Sequence, residues 1–269
     1  MRIKPGKPGT DGTFSASRVP IPSARASCGR LRLSPVLLLL FTALLAAPPS
    51  GPLEIRILYD NTSAQKDMQA DWGFAALVTF GAHRVLFDTG AKADLFMENL
   101  TKAGVDPASI EHVVISHAHA DHTAGLEQLS TRNPRIIVHR PDKAGPFEIV
   151  PGVFSTGIVE GPVSEQALVI ETSKGLVVLT GCAHPGVVKM VEAAEKQRGK
   201  DSVRLLLGGF HMLQHSAHQI HSTIARLKQL KVASAVPAHC SGDLTINLFR
   251  QAFPSGAGGA GAGKRILLD

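Results

Sequence analysis

A chain of 269 residues, 44% of them hydrophobic and 19% charged, can bury a sizeable core, which excludes a wholly disordered protein. The formal net charge of +6 suggests a polyanion binder, yet seven of the 28 basic residues and one of the 22 acids lie in positions 1–52. The remainder is neutral and has no global field to attract nucleic acid, so a small molecule is the expected partner.

Positions 1–52 read as a leader. The first part, rich in Gly, Pro and Ser, has the composition of a disordered extension. Arg25, Arg30 and Arg32 then precede an apolar run over 35–47, with small residues behind it. That run suits the core of a secretory signal peptide better than a membrane span, which needs roughly 18–20 residues. Export to a periplasmic or extracellular location is expected, with an uncleaved membrane anchor or cytoplasmic retention as alternatives. Residues 53–269 are expected to form one catalytic domain.

Residues 53–59 alternate apolar and polar side chains and predict a strand ending at Asp60-Asn61; 62–71 is a polar loop. Segments 74–80 and 84–87 predict a hairpin across Gly81-Ala82-His83, the second strand running into Asp88-Thr89-Gly90. A helix is expected over 94–103, with Leu95, Phe96 and Leu100 on one face and Gly104 closing it. A buried strand over 112–116 leads into a histidine-rich loop, a helix over 123–129 and a strand over 135–139. Two Pro/Gly-rich stretches, 141–151 and 157–162, read as loops, the first near the mouth of a site. Segments 167–171 and 176–180 predict another hairpin. A helix over 185–196, with Pro185 in its first turn, precedes a strand over 203–207. Ser216 can cap a helix whose Ile220, Ile224, Leu227 and Leu230 form one apolar stripe. A strand over 232–236, a helix over 244–253 and a last strand over 265–268 complete the order. Two strand-rich stretches, each followed by strand–helix units, suit an α/β sandwich of two mixed sheets with helices outside.

The chemistry concentrates where the 112–116 strand ends, in His117-Ala118-His119-Ala120-Asp121-His122. Three imidazoles and a carboxylate on a rigid strand end are how metal sites are built. His117 and His119 alternate in an extended segment and can converge on one ion, while Asp121 and His122 can reach a second. His184, His211 and His239 each follow another predicted strand. Asp88 is placed to accept the outer N–H of a ligand histidine. Asp60 and Asn61 either cap their strand or face the pocket. Glu165, beside Gln166, either reaches the site or, the preferred reading, is an exposed loop acid. Cys182 and Cys240 adjoin suspected ligands; they are either thiolate ligands or a redox pair, or small buried residues beneath the metals, the reading preferred here.

The His-x-His-x-Asp-His stretch resembles the signature of the metallo-β-lactamase superfamily. Together with Leu86-Phe87-Asp88-Thr89-Gly90, Thr180-Gly181-Cys182-Ala183-His184, Gly208-Gly209-Phe210-His211 and Pro237-Ala238-His239-Cys240-Ser241-Gly242, it is most similar to the dihydropterin ribofuranosylaminobenzene phosphate synthase-like group. The resemblance implies an αββα sandwich and two divalent metal ions, Zn being suited to the donors and Fe or Mn compatible. It implies that His117, His119 and His184 hold one metal and Asp121, His122 and His239 the other, Asp121 also orienting the nucleophile. Many members place a metal-bridging Asp where this chain has Gly-Gly-Phe-His; His211 either ligates or donates a hydrogen bond to substrate. The implied activity is metal-dependent hydrolysis of a small ester, phosphoester or lactone. The alternatives are a synthase or transferase acting on a pterin-like phosphorylated substrate, and a non-catalytic metal-binding or sensing protein.

Overall fold

The computed structural model describes residues 51–256 and 258–269, so the leader reading falls almost wholly outside the described residues. In chain order these residues form β1 (Leu53–Tyr59), β2 (Ala75–Phe80), β3 (His83–Phe87), α1 (Ala93–Lys102), β4 (His112–Val114), α2 (Ala120–Thr123), α3 (Leu126–Arg132) and β5 (Ile137–His139). There follow β6 (Phe147–Val150), β7 (Val153–Ser155), β8 (Leu168–Thr172), β9 (Gly175–Thr180), α4 (Val187–Arg198) and β10 (Val203–Gly209). The chain closes with α5 (Ala217–Gln229), β11 (Ala235–Ala238), α6 (Asp243–Ala252) and β12 (Arg265–Leu268).

The strands make two six-stranded sheets, ordered β12-β1-β2-β3-β4-β5 and β11-β10-β9-β8-β7-β6. Strand period explains the layering. In β2, Ala76 and Val78 face the second sheet while Leu77 faces outward; in β9, Val177 and Leu179 face the first sheet and Val178 faces outward. Both faces of each central strand are therefore apolar. The inner layer joins Ile55, Phe87 and Val114 to Leu168, Leu179 and Leu207. Outside the first sheet, Phe96 and Leu100 of α1 and Leu129 of α3 cover Leu86 and Val113. Outside the second, Val191 of α4, Ile220 and Leu227 of α5, and Phe249 of α6 cover Val178 and Leu206. This is the αββα sandwich.

Local chemistry sets the ends. Ser216 caps α5 by accepting the Gln219 N–H, and the Gln219 side chain accepts from the Ser216 N–H, a reciprocal capping box. Gly90 adopts φ +70°, and a Cβ there would lie 2.4 Å from the Tyr59 ring, so the turn after β3 requires glycine. Four sequence expectations need correction, the first being the helix expected over 123–129, which is split: α2 ends at Thr123 and α3 begins at Leu126. The 141–151 stretch is not wholly loop, because Phe147–Val150 pairs with β7 in a two-residue-turn hairpin at the sheet edge. Pro185 lies ahead of α4 rather than in its first turn, since Gly186 takes the position just before the helix. The strand expected over 232–236 begins at Ala235; its Pro237 is tolerated because β11 is an edge strand and pairs only with β10.

The parallel pair β4–β5 brings two histidines together. Nδ1 of His112 lies 3.0 Å from Nε2 of His139, with the rings stacked at 5.2 Å between centroids. Burial, then the neighbouring charges of His112 and Lys143, pull the His139 imidazole down to about 4. The unfolded chain takes up a proton near pH 6.5 that folded His139 refuses until about pH 4, so stability falls with pH across that window. Replacing His139→Gln removes this contribution. Urea unfolding at a series of pH values should show a shallower loss between pH 6.5 and 4 in the variant than in the parent.

Candidate metal centre

Strands β3–β4–β5 and β9–β10–β11 run parallel, and their carboxyl ends gather at one edge of the sandwich, where α/β folds bind ligands. Sheet one contributes Asp60 and Asn61 after β1, Asp88 after β3, and His117 to His122 after β4. Sheet two contributes His184 after β9, His211 after β10 and His239 after β11. Among the described residues, the non-glycine positions at positive φ are Asp88, Ala183, Lys231, His211 and His239, and only Lys231 is away from this edge. Such backbone costs of order 1–3 kcal/mol per residue and persists where surrounding contacts over-determine it.

Those contacts are hydrogen bonds to the outer nitrogens of the histidines. Fully buried Asp88 accepts the Ser116 N–H and Oγ–H at 2.7 Å each, and His122 Nδ1–H at 2.7 Å. Asn61 accepts from His239 Nδ1 at 2.8 Å and returns a bond from Nδ2 to the His239 carbonyl at 2.8 Å. Asp60 accepts the His239 N–H at 2.7 Å. Asp60 and Asn61 thus face the pocket and clamp one histidine between them. With each Nδ1 donating, each Nε2 presents its lone pair to the centre.

Glu165 does the same for His184, and here the expectation of an exposed loop acid is wrong. Glu165 is fully buried; Oε1 contacts His184 Nδ1 and lies 3.5 Å from His117 Nδ1, while Oε2 accepts the Ala183 N–H at 2.8 Å. Burial pushes its carboxyl up, but the His184 ring beside it wins and holds it below the ordinary range. Its neighbour Gln166 fixes the loop to the other sheet, donating from Nε2 to Ile115 O at 2.8 Å and from its N–H to Ser116 O at 3.0 Å. The sequence offers only a carboxylate three residues ahead of β8, a pattern too common to mark a buried acid.

The imidazoles meet as the spacing requires. Ring centroids are 4.6 Å apart for His117–His119, 4.8 Å for His117–His184 and 5.0 Å for His119–His184, all edge to face. His122 and His239 are 5.1 Å apart, and Asp121 Oδ2 lies 3.4 Å from His239 Nε2 and 3.8 Å from His122 Nε2. Trp72 Nε1 donates to Asp121 Oδ2 at 2.9 Å. Burial, then the nearby His122, draw the His117 imidazole down to about 3, so it is neutral at physiological pH. Burial raises Asp121, but His239 and His122 more than reverse this and leave it ionised. His211 is exposed, its ring 4.3 Å from His184, at the rim rather than inside.

A neutral His117 and an ionised Asp121 are in the protonation states that metal binding demands. One atom makes the fit specific: His239 Nε2 is buried with no hydrogen-bond partner, an uncompensated polar group that a cation would satisfy. The donors therefore fit a divalent metal cation. Two cavities flank them. One, of about 570 Å³, is lined by Trp72, Leu213, His239, Ile246 and Arg250; the other, of about 320 Å³, by His184, Lys189, His211 and His215.

Residues 73–197 match the family described as the metallo-beta-lactamase superfamily. A 7,8-dihydropterin-6-methyl-4-(beta-D-ribofuranosyl)-aminobenzene-5'-phosphate synthase of Methanocaldococcus jannaschii is 28% identical, spanning 68% of this chain and 84% of that one. Among solved structures, Tm1679, a metal-dependent hydrolase of the beta-lactamase superfamily, is 25% identical with a TM-score of 0.65, covering 81% of this chain and 99% of the other. The metallo-beta-lactamase fold protein YhfI from Bacillus subtilis, 13% identical, shares the fold with a TM-score of 0.58, covering 81% and 100%.

The outer-nitrogen bonds set donor affinity. Asn61→Ala and Glu165→Gln should each weaken zinc binding about 10–100-fold, measured by competition with a chromophoric chelator, while circular dichroism stays that of the parent.

Proposed function

We propose that this protein is a metal-dependent hydrolase acting on a small ester, phosphoester or lactone. The observation that carries the reading is the convergence of His117, His119, His184, Asp121, His122 and His239, with outer nitrogens tied down and His239 Nε2 left unpartnered. In this reading His117, His119 and His184 would hold one cation and Asp121, His122 and His239 the other. A bound pair of divalent ions, Zn suiting this donor set best, lowers the pKa of water toward ~7 and polarises the scissile bond.

The chain's own side chains do the remaining work. Asp121, ionised and fixed by Trp72, aims its carboxylate into the centre and orients the attacking water. Exposed His211, at the edge of the smaller cavity, is free to donate a hydrogen bond to the oxygen on which charge develops. In the larger cavity Trp72, Leu213 and Ile246 give an apolar wall for a flat group, and Arg250 gives a cation for an acidic one. Substrates carrying a planar body and an anionic substituent fit this combination.

That cavity also supports a second reading, a synthase or transferase on a phosphorylated pterin-like molecule, as the name of the methanogen relative suggests. An exported location, as the leader implies, favours the hydrolase, because pterin assembly is cytosolic chemistry.

The test is turnover of a panel of phosphoesters, thioesters and lactones by purified protein. A chelator should abolish hydrolysis and added zinc should restore it; turnover unaffected by metal removal would sink the proposal. With an anionic substrate, Arg250→Ala should raise KM about tenfold, the loss of ~1.4 kcal/mol of binding, with kcat nearly unchanged.

A further inference from the structure

We propose that Cys182 is a further ligand of this centre, its thiolate shared between the two cation positions. The inference rests on the metal-centre reading above and adds a donor of a different chemical kind.

Position comes first. Cys182 is buried, and its Sγ lies 3.3 Å from Nε2 of His122. The same sulfur is within 4.8 Å of the donor atoms of Asp121 and His239 on one side, of His117 and His184 on another, and of His211 and Cys240 on a third. Asp121 joins the two donor sets at one place, by approaching His117 and His119; Cys182 joins them at another. A sulfur that served only as packing would face carbon. This one faces a ring nitrogen, Nε2 of His122, whose Nδ1 lies 2.7 Å from Asp88. It also shares its donor group with His239 Nε2, a buried atom without a hydrogen-bond partner.

The backbone builds this position deliberately. A Cβ on Gly181 would meet Ser116 Oγ at 2.0 Å, so the loop after β9 passes hard against the β4 end. Ala183 at φ +60° then turns the chain so that Cys182 and His184 both address the centre. From the neighbouring strand no competitor can enter. A side chain at Gly209 would strike Gly181 O at 2.2 Å, Cys240 Sγ at 2.8 Å and Cys182 Cα at 3.1 Å. A carboxylate between the two donor sets is therefore sterically barred at the end of β10, and the sulfur is left with that space.

Chemically, Cys182 Sγ and His122 Nε2 are hydrogen-bonded to each other when no cation is present. On binding, the S–H proton leaves to solvent, His122 Nε2 is freed, and sulfur and nitrogen both become donors. A soft thiolate tilts the site toward Zn and away from Mn.

The experiment is cobalt(II) substitution of the purified full chain, read by absorption together with metal content. The parent should bind cobalt and show an intense near-ultraviolet thiolate-to-cobalt band. Cys182→Ser should lose the band while still binding cobalt, and Cys240→Ser should keep it. A band that survives Cys182→Ser, or one that disappears in Cys240→Ser, overturns the assignment. X-ray absorption of the zinc-loaded parent needs no variant: a sulfur scatterer at about 2.3 Å is expected, and a shell of only nitrogen and oxygen at ~2.0–2.2 Å overturns it. Metal bound without sulfur defeats this inference alone, whereas failure to bind either metal defeats the hydrolase reading with it.

Discussion

Each site histidine is useful only if its inner nitrogen is a free lone pair, and this molecule enforces that by occupying the outer one. Asp88 holds His122, Glu165 holds His184 and Asn61 holds His239, each acceptor standing just outside a strand. Asp88 and Glu165 are buried, so they are themselves costly unless every oxygen is used, and the Ser116 and Ala183 amides supply what is missing. The result is a shell in which ring orientation, tautomer and backbone conformation are set by one connected set of bonds. Loosening any one member releases strain stored at Asp88, Ala183 or His239.

The centre is also where the two sheets meet. The first provides His117 to His122 and their carboxylate, the second provides His184, His211 and His239, and the acceptors cross over. Asn61, from sheet one, restrains His239 of sheet two; Gln166, from sheet two, ties down the end of β4. Neither half could hold the donors in place alone. Close approach of the strand ends is bought with glycine, most severely at 181 and 209, where any side chain would collide with the opposite loop.

Much of this was legible in the chain. His117 to His122 announced themselves by density, and His184, His211 and His239 by position, because an apolar run that stops at a histidine is readable without tertiary information. Asp88 was found the same way. Glu165 escaped because its burial comes from the loop folding under β4, a long-range event that no local pattern records. For Cys182 both a thiolate and a packing reading stood open in the sequence, because its nearness to His122, sixty positions away, is not written in any local pattern. Strand β6 was hidden by prolines on either side of only four residues.

The chain has a single indole, that of Trp72, and it leans on the centre: its N–H engages Asp121 and its ring edge abuts His239 at 4.9 Å between centroids. It is also half open to solvent. Intrinsic fluorescence is thus a local voice rather than an average over the fold. Quenching or a colour shift in that emission would announce events among these few side chains while the hydrophobic layers beneath stayed silent.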